Sequence, residues 1–252
     1  MIDNSQIQDK RSELTRFFNE VLPPQEAEQV FVAATPSSKK NSEGKPSMEH
    51  IYAATHDELV DVILEKSSKH KDVYYGLGRF LPHHTTKGNP GRKGDYVQLL
   101  KAFWIDVDVG QDKSAAGLGY STKKEAAQAI VDFSKQCALP LPSHLINSGG
   151  GAHAYWVISK SITPDKWKQV SLKLKELTAK LGFLADPSRT GDIASLMRPP
   201  STQNHKLKEP RDVKLKRSES PISYTEFAKA VNVAHAKYCG TEQSRCDFAI
   251  TT

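Results

Sequence analysis

No apolar run in this 252-residue chain approaches the roughly 20 residues that a membrane-spanning helix needs, so no membrane span or membrane partner is expected. The N-terminus, "MIDNSQIQDKRSEL", lacks the apolar stretch of a signal peptide. Cysteine is scarce: Cys137, Cys239 and Cys246 are too few and too scattered for a disulfide framework, which fits a reducing cytoplasm. Neither an internal repeat nor an obvious linker interrupts the chain. What is present is a full complement of core-forming residues and a mild excess of positive charge, +6, which favours a polyanionic partner. The excess is concentrated in "TTKGNPGRKGDY" (85–96) and "NHKLKEPRDVKLKR" (204–217).

The most apolar run ends in acid. In "AFWIDVDVG" (102–110), residues i and i+2 of a strand share one side, so Asp106 and Asp108 emerge together. Two carboxylates that close repel unless something neutralises them. The usual neutraliser is a hard divalent cation with oxygen ligands, Mg²⁺ or Mn²⁺.

Periodicity predicts helices over 6–21, 56–69, 121–137, 163–182 and 224–237, and strands over 29–35, 71–80 and the Asp-x-Asp run. Residues 36–47, which contain no apolar residue before Met48, read as a flexible loop, and 110–120 as a Gly-rich connection. "HLINS" and "AHAYWVIS", separated by three glycines, form a hairpin. The fold class is therefore α+β: a mixed sheet with helices on one face and the acids on the open one. A boundary near residue 98 would divide an N-terminal α/β lobe (1–98) from a lobe built on the Asp-x-Asp strand (99–235).

Triple Gly at 149–151 lets backbone N–H groups approach an anion. His153 and Tyr155 share one face of the following strand, Ala154 and Trp156 the other. Downstream, "LGFLADPSRTGDIASLMRPPSTQNHK" (181–206) offers Asp186 and Asp192 as a third carboxylate, with Arg198 and Lys206 suited to phosphate charge. Asp186 would be delivered by a short strand, and Asp192 suits a helix N-cap or an Arg-orienting role. These features together give two-metal phosphoryl transfer on an α+β sheet.

In this order, "FWIDVDVG", "SGGGAHAYW" and "LAD…TGD…LMRPPSTQNHK" resemble the archaeo-eukaryotic primase superfamily, specifically the primase-polymerase (prim-pol) domains of phage, plasmid and other mobile-element replication proteins. The resemblance covers about residues 70–217. It implies a two-lobed core with an RRM-like catalytic sheet and template-directed nucleotidyl transfer, making and extending primers. Asp106, Asp108 and Asp186 (rival Asp192) would hold the metals. Ser148, Gly150, His153, Arg198, Asn204 and Lys206 would bind the incoming nucleoside triphosphate. Lys87, Arg92 and Lys93, with Lys208, Arg211, Lys214 and Lys216, would contact a single-stranded DNA template. Ser201 departs from the glycine that related sequences place there, which is tolerated only if φ is negative. "EQSRCDFAITT" resembles the opening of a helical module, so residues 236–252 would lead into further parts, with a helicase acting in cis or in trans. The alternative is a non-catalytic single-stranded nucleic-acid-binding module that stacks bases on Tyr155 or Trp156.

Overall fold

The structure is a computed structural model that describes residues 4–40, 44, 46–206 and 208–240. The first helix, α1 (Asn4–Val21), buries Leu14, Phe17, Phe18 and Val21 and ends ahead of Pro23. Strands β1 (Phe31–Lys40) and β2 (Pro46–Ala53) form an antiparallel hairpin. Residues 36–40 and 46–47, read from composition as loop, belong to it: the Pro36–Met48 and Lys40–Pro46 pairs extend the ladder by backbone bonding that needs no apolar side chain. Helix α2 (His56–Ser68) is capped by Thr55, whose side chain accepts from Glu58 N–H.

The run 71–80 is two strands, not one. β3 (Tyr74–Gly76) and β4 (Gly78–Phe80) enter different sheets, and the chain crosses between them at Leu77. Crowding explains the flanking glycines. A Cβ on Gly76 would lie 3.0 Å from the Phe80 ring, and one on Gly78 would lie 3.0 Å from the Leu99 carbonyl.

The Asp-x-Asp strand is β5 (Val97–Asp108). Within the Gly-rich connection lies a short helix, α3 (Gln111–Ala115), followed by α4 (Lys123–Gln136) with a Thr122–Glu125 capping box. The hairpin is β6 (His144–Asn147) and β7 (Gly151–Ile162). Helix α5 (Pro164–Lys180) has Pro164 in its first turn. The remaining elements are α6 (Pro187–Thr190), β8 (Leu196–Met197), β9 (Gln203–Asn204), β10 (Arg211–Asp212), β11 (Lys214–Ser218) and α7 (Tyr224–Cys239).

The fold is α+β. Among the described residues a four-stranded sheet runs β2-β1-β3-β8, a five-stranded one runs β11-β6-β7-β5-β4, and β9 and β10 pair as a separate two-stranded ribbon. All named ladders are antiparallel; parallel contact is confined to the single bridges Val109–Tyr120 and Ile158–Ile222. The two larger sheets exchange strands across residue 98: β8, from after it, joins the N-terminal sheet, and β4, from before it, joins the C-terminal one. Helices α4, α5 and α7 pack on the five-stranded sheet. Its Tyr155 side is not open along its length, because Phe17 of α1 and Tyr75 of β3 cover it, at ring and hydroxyl contacts of 6.0 and 3.2 Å. The strand ends bearing the acids reach the cavity described below.

Ser201 has φ +59°, not negative. Its N–H donates to the Val213 carbonyl (3.0 Å) and its hydroxyl to Glu13, contacts that hold a left-handed conformation costly for serine. Residues 241–252, which carry Cys246 and most of the expected helical module, lie outside the described residues. Among those described, no helix is long and apolar enough to cross a membrane.

Candidate active site

The β5–β7 ladder sets Asp106 directly opposite His153 and Asp108 opposite Gly151. Both acids and the histidine project into a cavity of about 600 Å³, together with Ser148, Gly150, Asp186, Arg198, Asn204 and Lys206. Chain segments far apart in sequence thus bring the residues expected of metal and nucleotide binding to one place. Arg211, expected at the template, lines the same cavity.

Asp106 is hemmed in, with 22 % of its side chain accessible, and lies 3.7 Å (Oδ1) from His153 Nε2. Burial, then the charges of Asp108 and Asp186, push its carboxyl up to about 7. Asp108 is paired with Lys113 of α3 at 2.7 Å, which raises the lysine. His153 is driven down to about 3 by burial, then by Arg198 and Arg189, so its ring is neutral. Behind it Tyr75 Oη donates to Tyr155 Oη (3.2 Å), and Tyr155 Oη lies 3.5 Å from His153 Nδ1. Burial raises the Tyr155 phenol far above its ordinary range, so it stays protonated and can donate. With Nδ1 accepting from the Tyr155 hydroxyl, the ring N–H resides on Nε2, on the side facing Asp106.

The glycine turn is required by close approach. Gly149 has φ +82°, and a Cβ there would lie 2.8 Å from Asn204 Cβ. A Cβ on Gly151 would lie 2.2 Å from the Val107 carbonyl. Asn204 ties the turn to the basic segment: its Nδ2 donates to the Ser148 carbonyl (3.1 Å) and its Oδ1 accepts from Lys206 N–H (3.1 Å). Lys206 lies 5.8 Å over the Tyr74 ring, its ammonium lowered by burial and then by Arg198.

Asp186 reaches the cavity, but not from a strand. It is the N-cap of α6, with Oδ1 accepting from Ser188 N–H (2.8 Å) and Ser188 Oγ (2.7 Å). Its own N–H donates to the Asp106 carbonyl (2.8 Å), which fixes it beside the pair. Asp192 caps no helix: residues 192–195 form a turn in which its Oδ1 accepts from Ala194 N–H (2.9 Å). Its other oxygen points away from the cavity, 3.9 Å from Arg92. Among the described residues, no three His, Cys, Asp or Glu side chains are already arranged to hold a metal ion.

Four cavity or near-cavity residues escape sequence reasoning. Tyr74 carries Arg198 on its ring at 4.6 Å and accepts from Arg198 Nη2 at 2.6 Å. Asp72 accepts from Arg198 Nη2 and from His205 N–H, both at 3.0 Å. Arg189 and Lys113 also line the cavity. Arg189, three residues after Asp186, was visible as a cation between the two rival acids. Asp72 and Tyr74 sit in an ordinary-looking strand, and no spacing rule links them to Arg198, 126 and 124 positions later.

Of the expected template contacts, Lys87, Lys93, Lys208, Lys214 and Lys216 are exposed. Lys214 is paired with Asp212 at 3.0 Å. Arg92 is largely enclosed, with 18 % of its side chain accessible.

No known family profile matches the sequence. A replication protein of Clostridium perfringens is 25 % identical over 145 residues, covering 55 % of this chain and 30 % of that protein, so the chain spans less than a third of its relative. Among solved structures, the AEP domain of the cyanophage S-2L primase-polymerase aligns with a TM-score of 0.60 at 12 % identity, over 88 % of this chain and 97 % of that one. The primase RepB′ aligns at TM-score 0.53 and 13 % identity, over 95 % of this chain and 66 % of that one. Its catalytic domain in complex with initiator DNA aligns at 0.50 and 13 % identity, covering 92 % and 94 %. The fold is that of primase-polymerase domains.

Proposed function

We propose that the chain is a DNA-dependent primase-polymerase, transferring nucleotides to a 3′-hydroxyl under the direction of a single-stranded DNA template. The observation that carries this reading is the convergence of Asp106, Asp108 and Asp186 with His153, Arg198 and Lys206 around one cavity of about 600 Å³. The replication protein and the primases that share its sequence or fold support the same assignment.

Asp106 and Asp108, with Asp186 beside them, would hold Mg²⁺ or Mn²⁺. The donor set fits: all are hard carboxylate oxygens, and the raised Asp106 carboxyl marks a cluster short of positive charge. A bound divalent cation there would neutralise charge on the transferring phosphoryl group and favour ionisation of the attacking hydroxyl. The chain's own residues position the triphosphate. Neutral His153 donates from Nε2 to a phosphate oxygen, Arg198 offers its guanidinium and Lys206 a point charge. The Ser148–Gly151 turn offers close backbone approach, with Asn204 locking it. The exposed lysines of 87–93 and 208–216 meet template phosphates. A helicase, in cis or in trans, is the expected companion in a cytoplasmic replication process.

The binding-module alternative depends on aromatics that bases can reach. Tyr155 and Trp156 are fully buried, which argues against it.

The test is primer synthesis on circular single-stranded DNA with labelled NTPs or dNTPs and Mg²⁺ or Mn²⁺. Products that disappear in Asp106→Ala and Asp108→Ala support the assignment. Tight DNA binding with no incorporation under any metal and nucleotide combination returns the chain to the binding-module reading.

A further inference from the structure

A second cavity, about 490 Å³, lies between the β1–β2 hairpin and the 83–93 loop. Among the described residues lining it are Lys39, Arg92 and Lys93, against one acid, Glu49. The loop is rigidly tied: Tyr52 Oη accepts from His83 N–H (2.7 Å) and Gly91 N–H (3.1 Å), and His83 stacks on Tyr96 at 4.3 Å. This places Arg92 in a fixed position, with Asp192 as a charge partner at 3.9 Å but not a hydrogen-bond acceptor. Its Nε and Nη1 are buried without hydrogen-bond partners, and the Asp192 carboxylate at 3.9 Å is too far to bond. His50 Nε2, on the same wall, is likewise buried and unpartnered. A guanidinium held out of water without a bonded anion is costly, and burial lowers its proton affinity accordingly. Such a group is stabilised by an arriving anion, and the planar guanidinium with flanking lysines suits a phosphate.

We propose that this cavity is a phosphate-binding site, separate from the nucleotide cavity, that holds one phosphate group of a nucleic-acid strand. The 186–195 segment touches both: Asp186 and Arg189 line the nucleotide cavity, and Asp192 lies 3.9 Å from Arg92 of the second. The proposal rests on the reading that the chain handles a nucleic-acid strand, but not on nucleotide transfer. The phosphate is either internal to the strand or its 5′ terminus.

The experiment titrates 3′-labelled single-stranded oligonucleotides, with a 5′-phosphate or a 5′-hydroxyl, against wild type, Arg92→Gln and Arg92→Lys. Nucleotide and divalent cation are omitted, so the result is independent of catalysis. Arg92→Gln should weaken binding roughly fivefold at low salt and flatten the log–log salt slope by about one, with Arg92→Lys intermediate. Loss confined to the 5′-phosphorylated strand assigns the site to a terminal phosphate; equal loss for both assigns it to an internal one. Thermal stability of Arg92→Gln should be unchanged or higher. Unchanged affinity and slope for both strands overturn the proposal, and a fall in melting temperature with unchanged binding identifies Arg92 as a structural partner of Asp192 instead.

Discussion

Asp106 and His153 face each other across the β5–β7 ladder, 3.7 Å apart, and their environment shifts them in opposite directions, each towards its neutral form. The acid is pushed up to about 7 and the histidine down to about 3. A neutral hydrogen-bond donor therefore stands beside a carboxyl poised to lose its proton when a counter-cation arrives.

The folded state pays for that poise, and the sign is testable. Asp106 ionises at about 7 when folded and near 3.8 when unfolded, so the unfolded chain loses its proton first as pH rises. The cost is absent below about pH 4, grows as pH climbs towards 7 and levels off above it. Asp106→Asn should thus raise stability by one to several kcal/mol, roughly, at pH 8 and by little at pH 4, while abolishing incorporation. Melting temperatures across pH in a metal-free buffer check this. An equal gain at both pH values would mean that the shift is not the cause.

Asp186 and Asp192 separate by the opposite signatures. Asp186→Asn should eliminate incorporation, with a cap loss of about 1 kcal/mol or less because Asn also caps. Asp192→Asn loosens the 192–195 turn and the approach to Arg92 but leaves turnover largely intact. Paired measurements of melting temperature and turnover decide; an inactive, stable Asp192→Asn reverses the assignment.

Tyr155→Phe removes the hydroxyl between Tyr75 and His153. Stability should fall by about 1 kcal/mol for the lost buried bonds. The imidazole is then free to place its proton on either nitrogen, so affinity for the nucleoside triphosphate should fall several-fold while oligonucleotide binding holds. Calorimetric titration with nucleotide tests this, and equal affinity would remove Tyr155 from the relay.

Asp72 is a positioning residue that accepts from the Arg198 guanidinium and from the His205 N–H. Asp72→Asn keeps the shape but weakens the charged bond to Arg198. Triphosphate affinity should fall towards the level of Arg198→Ala, about tenfold, with no change for DNA. An Arg198→Ala, Asp72→Asn double variant should add little to Arg198→Ala alone, since both disrupt one network.

Much of this was legible because short-range chemistry carries it. The Asp106/Asp108 pair follows from strand alternation, the glycine hairpin from turn chemistry and the Thr122 cap from the capping-box spacing. What sequence could not reveal depends on contacts between distant segments. The 71–80 run splits because it serves two sheets, β3 between β1 and β8 and β4 at the edge beside β5, which its own residues do not announce. Asp186 was chosen by its position after an apolar run, yet a cap and a backbone bond to Asp106, not a strand, put it in place. Ser201 was judged by intrinsic preference, while Val213 and Glu13 hold it at positive φ.

The exchange of β4 and β8 between the sheets bears on how the protein reaches its working form. Tyr75 pairs with Met197, and Gly78 with Leu100, so each sheet is completed by chain made on the other side of residue 98. The halves are laced, not hinged. Such distant pairings are paid for in loop-closure entropy before they return any contact energy, so they consolidate late. Tyr74 of one sheet and Asp106 of the other line the same cavity, so that cavity exists only when both sheets are laced. Severing the chain near residue 98 would leave each fragment with an unpaired edge prone to self-association, not two half-proteins that can be mixed at will.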